Sequence, residues 1–119
     1  MPTYDLLIKG GHVIDAANGV DGIMDVGIAG RLVGAVESDI PASQGRRVID
    51  ATGKFVMPGL IDLHAHCTGF AGSFFPDEMC LPYGVTTMVD CGGSGWRTFD
   101  EFNLNVVKKS AVRVFALLN

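Results

Sequence analysis

The stretch that decides the fold is Pro58-Gly59-Leu60-Ile61-Asp62-Leu63-His64-Ala65-His66, in which two histidines end a short apolar run. Side chains two residues apart on a β-strand point to the same face of the sheet. The spacing therefore predicts that His64 and His66 lie side by side, with Asp62 one step behind them on that face. Two neutral imidazoles on one face can bind a divalent metal at Zn–N distances of about 2.0–2.1 Å. Asp62 is then either a supporting carboxylate for the metal ligands or an ordinary hydrogen-bonded strand residue.

The same stretch resembles the first barrel strand of the amidohydrolase superfamily, and the likeness extends along the chain. Residues 4–15 are similar to the N-terminal strands of these enzymes, and residues 48–54 to the segment that leads into their barrel. Residues 76–80 and 84–90, with the Gly92-Gly93-Ser94-Gly95 loop after them, most resemble the members known as deacetylases, near dihydroorotases and hydantoinases. The resemblance covers essentially the whole chain.

The order of predicted elements indicates an α/β fold. The first half reads as short strands with turns, among them a hairpin at Gly10-Gly11 and a turn at Ala29-Gly30-Arg31. The second half alternates apolar strands with helices that begin at Pro76 and at Thr98, where Glu101 completes a capping box. The predicted strands of this half span residues 60–66, 85–90 and 111–118.

Together with the resemblance, these elements predict two portions. Residues 1–56 form a small N-terminal β-sandwich portion, and residues 57–119 form the first three strands of an incomplete TIM (β/α)8 barrel. A whole barrel takes about 250 residues, and the chain has 119. We therefore expect an N-terminal fragment of a larger enzyme.

The composition argues against several classes of partner. The net charge is −4 and the basic residues are scattered, so neither nucleic acid nor a membrane is an expected partner. No apolar run reaches the roughly 18 residues of a membrane helix, and the N-terminus does not read as a signal peptide. We expect a cytoplasmic protein in which the three cysteines are free thiols.

The resemblance implies what the intact enzyme does. It hydrolyses a C–N amide bond, or an acyl ester, of a small acylated or cyclic amide substrate, using water activated by one or two divalent metal ions, expected to be zinc. His64 and His66 are the metal ligands that this chain supplies, and the general base is expected outside it. The intact enzyme is expected to be a homo-oligomer, and the isolated chain to be inactive.

Other assignments stay open at this point. The loop of Gly92, Gly93 and Ser94 either contacts the substrate or only makes a turn, and Asp90 and Asn119, at strand ends, are expected to serve as turn or cap residues. A different class of function is also open. The chain is then a non-catalytic truncated module that dimerises through its open sheet edge and retains a vestigial histidine pair.

Overall fold

The computed structural model describes residues 3–67 and 71–119, and the chain divides into two compact units, Met1–Pro58 and Gly59–Asn119. The sequence predicts this division two residues earlier, between residues 56 and 57. Strands dominate the chain as a whole, and each unit has its own sheet, which gives a mixed α/β chain. Within the described ranges, no helix is long and apolar enough to cross a membrane.

The first unit is built on a long central strand with partners on both sides. β1 pairs with β2 and β2 with β3 in antiparallel fashion, whereas β4 and β5 both run parallel to β1 on its other edge. A 3-10 helix at Ala42–Gln44 connects β3 to β4. The strands are β1 (Leu6–Asp15), β2 (Val20–Ala29), β3 (Leu32–Glu37), β4 (Val48–Asp50) and β5 (Phe55–Val56).

The predicted hairpin at Gly10-Gly11 is wrong, because β1 continues through both glycines. The register of β1 against β2 shifts between Ile8 and Gly11, and Gly10 has a φ of +69°. Glycine adopts positive φ without the steric penalty of a side chain, so it forms a bulge inside the strand instead of a turn. The chain reverses only after Asp15, whose carboxylate accepts the Ala17 N–H at 3.1 Å.

The second unit contains the three parallel strands and two helical segments that the sequence predicts. The strand order is β6 (Leu60–Ala65), β7 (Val85–Cys91) and β8 (Arg113–Leu117). Helix α1 (Pro76–Met79) and a 3-10 turn (Leu81–Tyr83) connect β6 to β7. Helix α2 (Phe99–Phe102) continues as a π-helix (Asn103–Val107) before β8. The carboxyl ends of the three strands therefore lie at one edge of the sheet.

The core of this unit joins one face of the sheet to the helices. The π-helix extends the apolar side of α2, so that Phe102 and Val106 pack with Met88 and Val114. The predicted capping box is wrong, because the Thr98 side chain makes no capping bond and its Oγ1 accepts the Gly95 N–H at 3.0 Å. The buried members of the core are Ala65, Cys67, Cys80, Met88, Phe102, Val106, Val112 and Val114.

Candidate functional site

The two histidines lie next to each other at the carboxyl end of β6. Their ring centroids are 5.3 Å apart and the rings are inclined by 73°. Two imidazoles that share one tetrahedral zinc ion, with Zn–N distances of about 2.0–2.1 Å, have centroids roughly 5 Å apart. The separation of His64 and His66 therefore fits two ligands of one ion. His64 is exposed and His66 is half-buried, so solvent reaches the pair from one side.

Asp62 does not share the face of the histidines, contrary to the simple alternation expected for a strand. Asp62 is paired with Met88, and Ala65 with Asp90, so the register of β6 slips between them. Met88 and Asp90 are two residues apart on β7 and share a face, which puts Asp62 on the same face as Ala65. The bulge at Leu63 and His64 is the physical reason.

The Asp62 carboxylate acts on the backbone at this bulge. Its Oδ1 accepts the N–H of His64 at 2.9 Å. A side chain that accepts the N–H two residues ahead replaces a bond of the strand ladder, and this keeps the backbone of His64 in place.

The described residues do not form a complete metal site. In residues 3–67 and 71–119 no group of three His, Cys, Asp or Glu side chains is arranged to hold a metal ion. Catalytic zinc commonly has three protein ligands and an open position for water. The histidine pair thus matches two of the three protein ligands of such a site.

Asp90 connects the end of the histidine strand to the loop after β7. Its side chain is fully buried, with 0% of the residue exposed. One oxygen, Oδ1, accepts the Gly93 N–H at 2.9 Å, which confirms the predicted turn role. The other oxygen, Oδ2, accepts the Cys67 N–H at 3.4 Å and lies 3.6 Å from the Cys67 thiol. The second contact was not predicted, since it joins residues far apart in sequence.

The cysteines near the site are free thiols, as predicted. Burial, together with the neighbouring Asp90 carboxylate, raises the pKa of Cys67 to about 12. Burial also raises the pKa of Cys80. Both side chains are therefore packed, neutral thiols near pH 7. The form of cysteine that binds zinc is the thiolate. Cys91 is half-buried, and its sulfur lies 3.5 Å from the Leu63 carbonyl oxygen.

The glycine loop, residues 92–95, is held by its neighbours. Gly92 has a φ of +91°, and its carbonyl accepts the Asn119 amide at 2.9 Å. The N–H of Gly93 donates its hydrogen bond to Asp90. Ser94 is 3% exposed, and its hydroxyl has no hydrogen-bond partner in the part of the chain that the structure describes. Asn119 acts as the cap residue expected at this strand end.

A cavity of about 260 Å³ lies between this loop and the helical segment of residues 99–107. Polar groups occur along its rim, and the core side chains of Phe102 and Val106 form its apolar part. The lining includes Gly93, Ser94, Thr98, Glu101, Phe102, Asn105 and Val106. No residue of the histidine pair lines it.

Comparisons with known proteins agree on one family. The sequence profile described as Amidohydrolase family matches residues 47–106. A deacetylase from Enterococcus faecalis is 32% identical over 118 residues, covering 98% of this chain and 30% of that protein.

Two solved structures are also similar. A crystal structure of a dihydroorotase superposes with a TM-score of 0.78 at 29% identity, covering 96% of this chain and 30% of the other. A structure of D-aminoacylase, described by its binuclear metal center, superposes with a TM-score of 0.59 at 37% identity and covers 73% of this chain and 18% of the other. The chain thus spans less than a third of the length of these proteins.

Proposed function

Because this chain belongs to the amidohydrolase family, we propose that it is the N-terminal part of a metal-dependent hydrolase. The intact enzyme cleaves a C–N amide bond, or an acyl ester, of a small molecule by means of metal-activated water. The observation that carries the proposal is the histidine pair, whose ring centroids lie 5.3 Å apart at the carboxyl edge of a parallel sheet. In barrels of this kind the active site lies at that edge.

In this proposal the residues of the chain bind and orient. His64 and His66 hold a divalent ion, for which zinc suits the imidazole donors. Asp62 keeps the His64 backbone in place through its 2.9 Å hydrogen bond and so serves as a supporting residue. A bound ion lowers the pKa of coordinated water and polarises the substrate carbonyl. The remaining ligands and the general base come from later strands of the enzyme.

The finer features of the proposal follow the relatives. The deacetylase supports an acylated substrate and the dihydroorotase a cyclic amide, and the binuclear center of D-aminoacylase supports one or two ions. We also propose that the first unit belongs to a β-sandwich and that β6, β7 and β8 begin a TIM barrel. A homo-oligomeric intact enzyme is part of the same proposal.

Zinc titration of the chain tests the histidine pair. We expect calorimetry to show one zinc ion bound per chain, and His64→Gln or His66→Gln to weaken binding at least tenfold, since one imidazole is a poor site. The matched control is His12→Gln, which removes the third histidine of the chain. His12 lies in the first unit, where its Nε2 is 2.5 Å from Asp21 Oδ1. We expect the control to bind zinc like the wild type.

Two results would contradict the proposal. Zinc binding that survives the loss of His64 and His66 together would assign the metal elsewhere. Binding that falls in the His12 variant and not in the others would do the same. Circular dichroism of each variant, recorded beside the titration, shows whether its fold is intact.

One observation favours the non-catalytic module. β8 is an edge strand of the described sheet, and it exposes Phe115 and Leu117 to 54% and 60%. Exposed apolar edges pair readily with a second chain. A monodisperse dimer in light scattering, with no zinc in elemental analysis, would favour the module. A zinc-binding chain whose self-association is relieved by Phe115→Lys favours the hydrolase.

A further inference from the structure

Asp90 is a buried carboxylate to which the proposed hydrolysis assigns no task. Burying a carboxylate is costly unless hydrogen bonds replace its hydration. Here both oxygens are engaged, one by Gly93 and the other by Cys67. The residue is therefore a fixed anchor that joins two segments of the carboxyl edge.

The anchor acts where the strand ladder has ended. Ala65 is the last residue of β6 and is paired with Asp90 itself. His66 comes after the strand, and its carbonyl accepts the Phe74 N–H at 3.3 Å. The next residue, Cys67, is held by the Asp90 carboxylate at 3.4 Å. The backbone on the C-terminal side of His66 thus depends on a side chain of the neighbouring strand.

We propose that Asp90 is a positioning residue for the metal ligands. The Asp90 carboxylate accepts the N–H groups of Cys67 and Gly93 at once. It thereby fixes the orientation of the His66 backbone and links that orientation to the position of the glycine loop. The inference rests on the proposed function, because it takes His64 and His66 to be metal ligands. Groups that orient metal ligands typically change metal affinity 10- to 100-fold when they are removed.

The zinc affinity of Asp90→Asn tests this role. Asparagine keeps the size of the side chain but replaces one acceptor oxygen by an NH₂ donor, which faces an N–H donor. We expect zinc binding to weaken about tenfold or more in this variant.

The control is Asp77→Asn, which changes another backbone-binding carboxylate of the same unit. Asp77 accepts the N–H groups of Ala111 and Val112 at 2.9 and 3.1 Å and none from the histidine strand. We expect this variant to lose stability and to keep the zinc affinity of the wild type. A purely structural role for Asp90 would make the two variants behave alike, and this result would overturn the inference.

A measurement on the wild-type chain keeps the test decisive if Asp90→Asn does not fold. In amide NMR spectra, zinc should shift the Cys67 and Gly93 signals together and leave those of Ala111 and Val112 in place. A shift of Cys67 without Gly93 would overturn the inference. A wild-type chain that binds no zinc would overturn it together with the proposed function. A zinc-binding chain with an unaffected Asp90→Asn variant would overturn the inference alone.

Discussion

At the scale of single residues, Asp25 shows how one carboxylate organises the first unit. It is 3% exposed and accepts hydrogen bonds from Lys9 Nζ at 2.5 Å, from Gly10 N at 2.7 Å and from Ile40 N at 2.9 Å. Burial alone would raise the pKa of Asp25, but the hydrogen bonds from Lys9 and the two backbone N–H groups outweigh it and lower the pKa. The carboxylate thus ties the bulge of β1 to the segment after β3.

We therefore expect Asp25→Asn to lower the free energy of unfolding of the first unit by about 1–3 kcal/mol, since buried donors lose their acceptor. Hydrogen exchange of the β1 and β2 amides, compared with those of β7, measures this loss. Asp39→Asn is the control, because Asp39 lies 3.5 Å from Lys9 Nζ but its side chain is 89% exposed. Such an exposed pair contributes little. An equal loss in both variants would refute the role of Asp25.

The same carboxylate predicts a pH dependence. A carboxyl group whose pKa is lowered by folding stabilises the fold above its unfolded pKa of about 3.9, and the stabilisation is lost as the pH falls through the folded pKa. The pKa of Asp25 is lowered in the fold. Below about pH 4 the first unit of the wild type should lose stability more steeply than that of Asp25→Asn. Parallel pH curves, from amide exchange or acid titration, would contradict this expectation.

At the scale of elements, two of the register breaks matter most, one in β1 and one in β6, because each redirects a strand. In β1 the break follows from Gly10, whose positive φ no other residue of that strand has to adopt. In β6 the break separates Asp62 from the histidines. A slip of one residue exchanges the two faces of a strand, so a bulge decides which side chains meet.

Gly10→Ala tests the first of these bulges. A side chain in the left-handed region costs about 1–2 kcal/mol, and the new Cβ would also lie 3.2 Å from Thr52 Oγ1. We expect the unfolding free energy of the first unit to fall by about that amount. Gly22→Ala is the matched control in β2, where an added Cβ meets nothing within 4 Å. Equal effects of the two substitutions on amide exchange would show that the bulge needs no glycine.

The elements were predictable from sequence where local pattern decides them. Apolar β-branched runs predict β7, and the i, i+2 spacing predicts the neighbouring rings of His64 and His66. Local sequence pattern does not predict a side chain's hydrogen bond when another partner takes it. Thr98 has the sequence of a cap, but its hydroxyl binds Gly95 instead. The contact between Asp90 and Cys67 spans 23 residues, and no periodicity reports such a pairing.

At the scale of the whole molecule, the chain is much shorter than the proteins it resembles. It spans 30% of the deacetylase and of the dihydroorotase that it resembles. Its described residues bring two histidines together, and no group of three His, Cys, Asp or Glu side chains among them is arranged to hold a metal ion. The proposed metal binding and the proposed turnover can therefore be tested separately.

We expect residues 1–119 to bind zinc without catalysing hydrolysis. The reason is that two imidazoles can hold an ion, while turnover also needs further ligands and a general base. Acetate release from N-acetylated amino acids, followed with and without zinc, measures this. Zinc-dependent multiple turnover that disappears in His64→Gln would refute the expectation, whereas turnover that persists in that variant would indicate a contaminating enzyme.

The exposed indole of Trp96 has a practical consequence for spectroscopy. Trp96 is the sole tryptophan of the chain, 70% of it is exposed, and the Arg97 guanidinium carbon lies 4.8 Å from its ring centroid. Its emission in the native protein should already resemble that of an indole in water. Denaturation would then shift the wavelength of maximum tryptophan emission very little. A melting curve that follows this wavelength would look nearly flat even though the protein had lost its sheets.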